Sequence, residues 1–209
     1  MEHEYSVLGG FNRAQIGRYL TLASLGIAAA VASGAGLVVQ ALPKVGINAP
    51  AVLMWPLTAG FFYIALYWLF EVRLWKLPRF SRLLKVPDLS GIWVCEGQQI
   101  NIDATPGYVW IAELTIVQSW DKLRVMLRTS QSSSNSISAA MVYDKAAGYR
   151  LLYSYKNEPR IGEPELAAHR GSAEITFSKD LNSAEGEYFN GYGRYTFGRM
   201  TLTRKIAHE

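Results

Sequence analysis

The side chains in this chain best suited to chemistry are aromatic rings and arginines recurring at strand-like spacing. Tyr149, Tyr153 and Tyr155 alternate around Leu151 in one segment, and Tyr188, Tyr192, Arg194 and Tyr195 crowd another. Trp110 and Arg128 stand in two further segments of the same kind. Flat π faces stack nucleobases, and guanidinium forks hold phosphate oxygens in pairs, so such a set suits capture of a small nucleotide-like anion. A tyrosine also fits a half-buried pleat through packing alone, and for any single ring both readings stand.

Groups that would turn a substrate over do not assemble. His3 and His208 lie near the chain ends, and His169, beside Arg170 and near Glu165, has no cysteine or second histidine at metal-ligand spacing. It reads as a hydrogen-bonding surface residue. Glu185 and Glu187 share one strand face without a partner acid or base. No nucleophile elbow, phosphate loop or dinucleotide fingerprint is present. The expectation is a binding protein, with no enzyme activity, metal or cofactor.

The elements that must position these rings begin at Pro87. From there, short β-branched and aromatic runs alternate with turn signals such as Asp180-Leu181-Asn182 and Asn190-Gly191. The spacing predicts eight strands, near 91–97, 108–118, 122–130, 135–143, 149–156, 168–178, 183–190 and 193–204. That number in about 120 residues closes into a small antiparallel up-and-down β-barrel. The single cysteine, Cys95, falls in the first strand as a packing residue and excludes a disulfide framework.

Ahead of the barrel, residues 19–42 and 45–70 carry no charged side chain. About 20 apolar residues cross the ~30 Å of a bilayer's hydrocarbon, so the two runs predict a transmembrane hairpin. In the first, Gly26, Ala30 and Gly34 recur every four positions, a spacing that lets helices pack closely. Residues 73–85 then interleave basic and apolar side chains, as expected on an anionic inner leaflet.

The net charge of +4 divides unevenly. Residues 1–87 hold eight Lys/Arg against three Asp/Glu, whereas residues 88–209 hold thirteen against fourteen. The barrel therefore lacks the basic footprint of a DNA or RNA polymer binder. Arg13 and Arg18 precede the hairpin, five basic residues follow it, and only Lys44 lies between its helices. By the positive-inside bias, both termini and the barrel are cytoplasmic. The expected organisation is a 1–15 cytoplasmic tail, a 16–70 transmembrane hairpin, a 71–87 basic linker and an 88–209 barrel.

Two resemblances follow. Gly91-Ile92-Trp93 on the first strand, with Arg204 at the end of the last, resembles the lipocalin and fatty-acid-binding (calycin) group. There an arginine from the final strand covers the tryptophan and closes one barrel end, a cation–π role. If Trp93 marks the closed end, loops 98–107, 130–135, 157–167 and 190–193 form the open mouth. The binding candidates are then Trp110, Arg128, Tyr153, Tyr155, Tyr188, Tyr192 and Arg194, with Lys156 and Arg170 also at that end.

The whole order of short-loop membrane helices, basic aromatic linker and compact barrel resembles the two-transmembrane, β-strand-rich effectors of bacterial cyclic-oligonucleotide antiphage signalling (CBASS). That resemblance implies a barrel binding a cyclic dinucleotide second messenger, chains that form a homo-oligomer, and helices that disrupt the inner membrane of an infected cell. The competing expectations are a membrane-tethered calycin-like barrel for a lipid or hydrophobic metabolite, and an adaptor contacting another protein.

Overall fold

The structure, a computed structural model, describes residues 1–41, 58–163, 167–191 and 194–205. The chain divides into two compact units, one formed by Asn12–Trp75 and the other by Met1–Phe11 together with Lys76–Glu209.

In the first unit, helix α1 spans Arg13–Ala41 and α2 spans Ala59–Val72. A reciprocal cap starts α1, with Gln15 N–H donating to Asn12 Oδ1 at 2.9 Å and Asn12 N–H to Gln15 Oε1 at 3.0 Å. Thr58 caps α2 through the Phe61 N–H. Arg13–Gln40 is long and apolar enough to cross a membrane. It leaves Leu22 and Leu37 66% and 70% exposed, which water would penalise and lipid would not. Helix α2, 14 residues, is too short by itself to cross. The expected loop near 43–48 lies outside the described residues.

The second unit is built on a closed barrel whose strands are β1 (His3–Leu8), β2 (Gly91–Ile100), β3 (Pro106–Gln118), β4 (Lys122–Arg128), β5 (Ser132–Asp144), β6 (Gly148–Pro159), β7 (His169–Phe177), β8 (Ser183–Asn190) and β9 (Phe197–Arg204). β2 to β9 are the eight expected strands, each antiparallel to the next, and β9 returns to pair with β2. Period-two burial lines the interior with Trp93, Leu114, Ile116, Leu123, Leu151 and Ile175, all essentially inaccessible.

Two expectations are corrected. The barrel has nine strands among the described residues, so it is no simple meander, and residues 3–8 are no tail. β4 and β5 pair only from Met126↔Asn135 to Arg128↔Ser133. Below that fork β1 enters, antiparallel to β4 and parallel to β5. Tyr5, 2% exposed, fills the wedge, and its hydroxyl donates to the Ser119 carbonyl at 3.3 Å. His3 reaches Ser136 Oγ at 2.7 Å. The expected 71–87 linker is likewise ordered: α2 runs to Val72, a 3₁₀ turn covers Leu74–Lys76, and helix α3 spans Pro78–Leu84.

The closed end follows the calycin expectation. Trp93 is fully buried, the Arg204 guanidinium carbon stands 5.3 Å from its ring centroid, and the Phe177 ring packs edge to face with it, centroids 5.4 Å apart. Arg204 Nη2 donates to the Ser90 carbonyl at 2.5 Å and to that of Asp88 at 3.3 Å. Buried Gln118 completes the seal, accepting from Leu89 N–H at 2.9 Å and donating to the Pro87 carbonyl at 3.1 Å. Arg204 Nη2 and both ends of the Gln118 amide thus find backbone partners.

Candidate ligand-binding site

At the opposite end the apolar filling stops and a cavity of about 530 Å³ opens, within the usual range for small-molecule sites. Three of the aromatic side chains lining it stand opposite a glycine on the neighbouring strand. Trp110 is paired across strands with Gly97, Tyr155 with Gly171, and Tyr188 with Gly198. A Cβ on Gly97 would collide with the Trp110 ring and one on Gly171 with the end of the Tyr155 ring, whereas one on Gly198 would meet the Gln98 carbonyl first and then the Tyr188 hydroxyl. The first two glycines leave shelves on which the rings rest, fixing ring orientation without any side chain beneath.

Hydrogen bonds complete the wall. Trp110 Nε1 donates to the Tyr188 hydroxyl at 3.1 Å, and the two rings meet edge to face with centroids 5.5 Å apart. Tyr155 Oη donates to Asn190 Oδ1 at 2.8 Å, and Asn190 Nδ2 to Thr196 Oγ1 at 2.7 Å. Burial pushes the hydroxyls of Tyr153 and Tyr155 up, keeping them protonated at neutral pH. Beneath them Cys95 is wholly buried, its thiol pushed up to about 12 by desolvation, which makes it inert filling.

Of the expected residues, Trp110, Tyr153, Tyr155, Tyr188 and Arg194 line the cavity. Arg128 does not. Leu123 and Val125 point inward on β4, and period two sends Arg128 outward, exposed and opposite Glu113 on β3. Lys156 also points outward, paired with Glu158 at 2.7 Å, and Arg170 is exposed. Tyr192 lies outside the described residues.

His169, expected at the surface, is instead 7% exposed and lines the cavity. Its Nδ1 lies 3.1 Å from the Ala167 carbonyl, an arrangement that places the proton of the neutral ring on Nδ1 and leaves Nε2 to accept. Desolvation holds its pKa below the ordinary value, and Arg194 adds to that. Asn157, facing His169 across the β6–β7 ladder, and the Thr129–Ser132 turn add neutral donors and acceptors. Alternation on β6 could have found Asn157, since it shares a face with Tyr153 and Tyr155. The serine-rich turn was expected at the mouth from topology, but nothing local singled out its side chains as cavity lining.

The arrangement can stack flat rings against aromatic walls, donate neutral hydrogen bonds to base edges, and offer Arg194 to a phosphate. Comparisons with known proteins agree in kind. Residues 84–204 match the family described as Cap15, cyclic dinucleotide receptor domain, and residues 14–76 match that described as Cap15, TM helices. The chain is 42% identical over 208 residues to CD-NTase-associated protein 15 of Yersinia aleksiciae, covering 99% of this chain and 98% of that protein.

Proposed function

The chain belongs to the Cap15 family, with a cyclic dinucleotide receptor domain and a membrane domain, and from that premise we propose that the mouth cavity is where the messenger binds. Binding drives chains of this protein to associate, and the helices of Asn12–Trp75 then disrupt the inner membrane of an infected cell. The observation that carries the site is that Trp110, Tyr155, Tyr188 and Arg194 line one cavity of about 530 Å³, with the first two rings seated on glycines. A lipid carrier would need an apolar chamber with one or two polar groups. Here Arg194, His169, Asn157, Asn190 and the Thr129–Ser132 turn all line the space.

Connectivity supports two membrane crossings with the barrel and N-terminus on one side. β1 belongs to the barrel and leads into α1, and the chain rejoins the barrel after Trp75. The two chain passages are adjacent, because Gly10 packs so tightly on the Leu84 carbonyl that no side chain would fit. A crossing by α1 therefore requires a return crossing before residue 76. The excess of basic residues on either side of the hairpin supports a cytoplasmic location for that shared side. A cytoplasm-dependent reporter should be active after Glu209 and inactive near Gly46.

Calorimetric titration of the detergent-solubilised full chain with a panel of cyclic dinucleotides tests the binding step. Saturable binding of at least one is expected, and binding of none would refute the reading. For the membrane step, Ala30→Leu should retain binding while abolishing toxicity, because it spoils close helix packing.

A further inference from the structure

The seven-residue helix α3 buries one side and leaves the other bare. Leu84 is 2% exposed and Val86 fully buried, and Ser81 Oγ donates to the Val86 carbonyl at 2.9 Å, turning the chain into the barrel. On the outer side Phe80 and Leu83, one turn apart, are 39% and 60% exposed, and Leu77 at the N-cap is 47% exposed. Arg79 and Arg82, also one turn apart, lie exposed beside them. Among the described residues neither arginine is paired with a carboxylate, whereas neighbouring Lys76 is held by Asp88 at 3.3 Å.

Two observations select the occupant of this face. It is apolar and cationic together, a combination suited to the headgroup boundary of an anionic leaflet and poorly suited to a neutral protein groove. It also continues the membrane segment: the match to membrane helices ends at residue 76, and α3 begins at Pro78. We propose that α3 is a lipid-docking surface. Phe80 and Leu83 enter the acyl boundary while Arg79 and Arg82 engage the phosphates of anionic phospholipid. The barrel's closed end is thereby held to the bilayer, independently of any ligand at the mouth.

A fluorophore at Leu83→Cys tests this in the full chain. Cys95 is buried with its thiol pushed up to about 12, so a thiol reagent at neutral pH labels only the introduced cysteine. The protein is reconstituted into phosphatidylcholine vesicles with or without phosphatidylglycerol. With phosphatidylglycerol present, the emission should shift to the blue and be quenched by brominated lipid. Each arginine is worth about fivefold in partitioning, so Arg79→Gln/Arg82→Gln should lower the docked-to-undocked ratio on the order of 30-fold. Three results would overturn the proposal: a label open to aqueous iodide in both vesicles; a label shielded from iodide and bromolipid alike, meaning a protein covers the face; or equal lipid contact without phosphatidylglycerol. None depends on whether the mouth binds a cyclic dinucleotide.

Discussion

The two ends of the barrel use the same residue types to opposite purposes. At the closed end an indole and a guanidinium, Trp93 and Arg204, face each other 5.3 Å apart, and the arginine's Nη2 donates to the backbone carbonyls of Ser90 and Asp88. At the mouth an indole and a guanidinium, Trp110 and Arg194, line an open chamber instead. One arginine is hydrogen-bonded within the fold, while the other lines space that a phosphate can enter. An aromatic–arginine pair is thus a structural seal or a binding site according to what else competes for its donors. Glycine makes the same distinction: beneath Trp110 a glycine provides a shelf and leaves a void above it, whereas Phe177 packs on Trp93 and leaves none.

The comparison breaks most readily at the seal. Trp93→Ala should cost about 3–5 kcal/mol of stability through the cavity it leaves. Thermal melting of the full chain in detergent should show a large downward shift, with ligand affinity changed little while the barrel stays folded. An unchanged melt would mean that the closed end is not the stabilising core.

The mouth should respond the other way round. Arg194→Ala removes a charge-assisted hydrogen bond to phosphate, weakening cyclic dinucleotide binding by about 1.5–3 kcal/mol, or ~10- to 150-fold. The melting midpoint of the unliganded protein should barely move. Normal titration curves for that variant would put the phosphate elsewhere.

The shelf can be tested by filling it. At Gly97 the three atoms nearest to an added methyl all belong to the Trp110 ring. Gly97→Ala should push that ring into the chamber and weaken binding by roughly 1–3 kcal/mol, the ordinary scale of overpacking. Adding the same change to Trp110→Ala should cost nothing more. Additive losses in a double-mutant cycle would sever the link between the two residues.

The smallest effect is a matter of pH. His169 is buried neutral with its pKa lowered by desolvation, so its contribution to stability is present above about pH 6.5 and lost as the pH falls through its folded value. A phosphate beside Arg194 would offset that arginine's positive charge and favour the imidazolium. Affinity should therefore rise a few-fold between about pH 7.5 and 6 while the unliganded barrel loses stability, and His169→Gln should flatten both trends. Proton uptake on binding, read from titrations in buffers of different ionisation enthalpy, gives the sign directly.

Alternation, turn residues and the Gly-x-Trp signature made strands β2 to β9 and the Trp93–Arg204 seal legible without coordinates, because each rests on neighbours in sequence or on an end-to-end pairing that the topology demands. That Trp110, Tyr153, Tyr155, Tyr188 and Arg194 share the mouth cavity was legible for the same reason. Facing was less secure: one residue of phase separates Arg128, directed outward, from Leu127, which lines the cavity. His169 looked solitary because Asn157 and Asn190, its neighbours in the chamber, come from the adjoining strand β6 and from β8 beyond β7. β1 was invisible, since only one of its six residues, Tyr5, is buried, and its partners on β4 and β5 lie more than a hundred residues on. Local pattern determines which segments become strands and helices. Where a gap between two strands awaits a third, and which side chains share a void, is decided only when the barrel closes and distant segments compete for the same backbone donors.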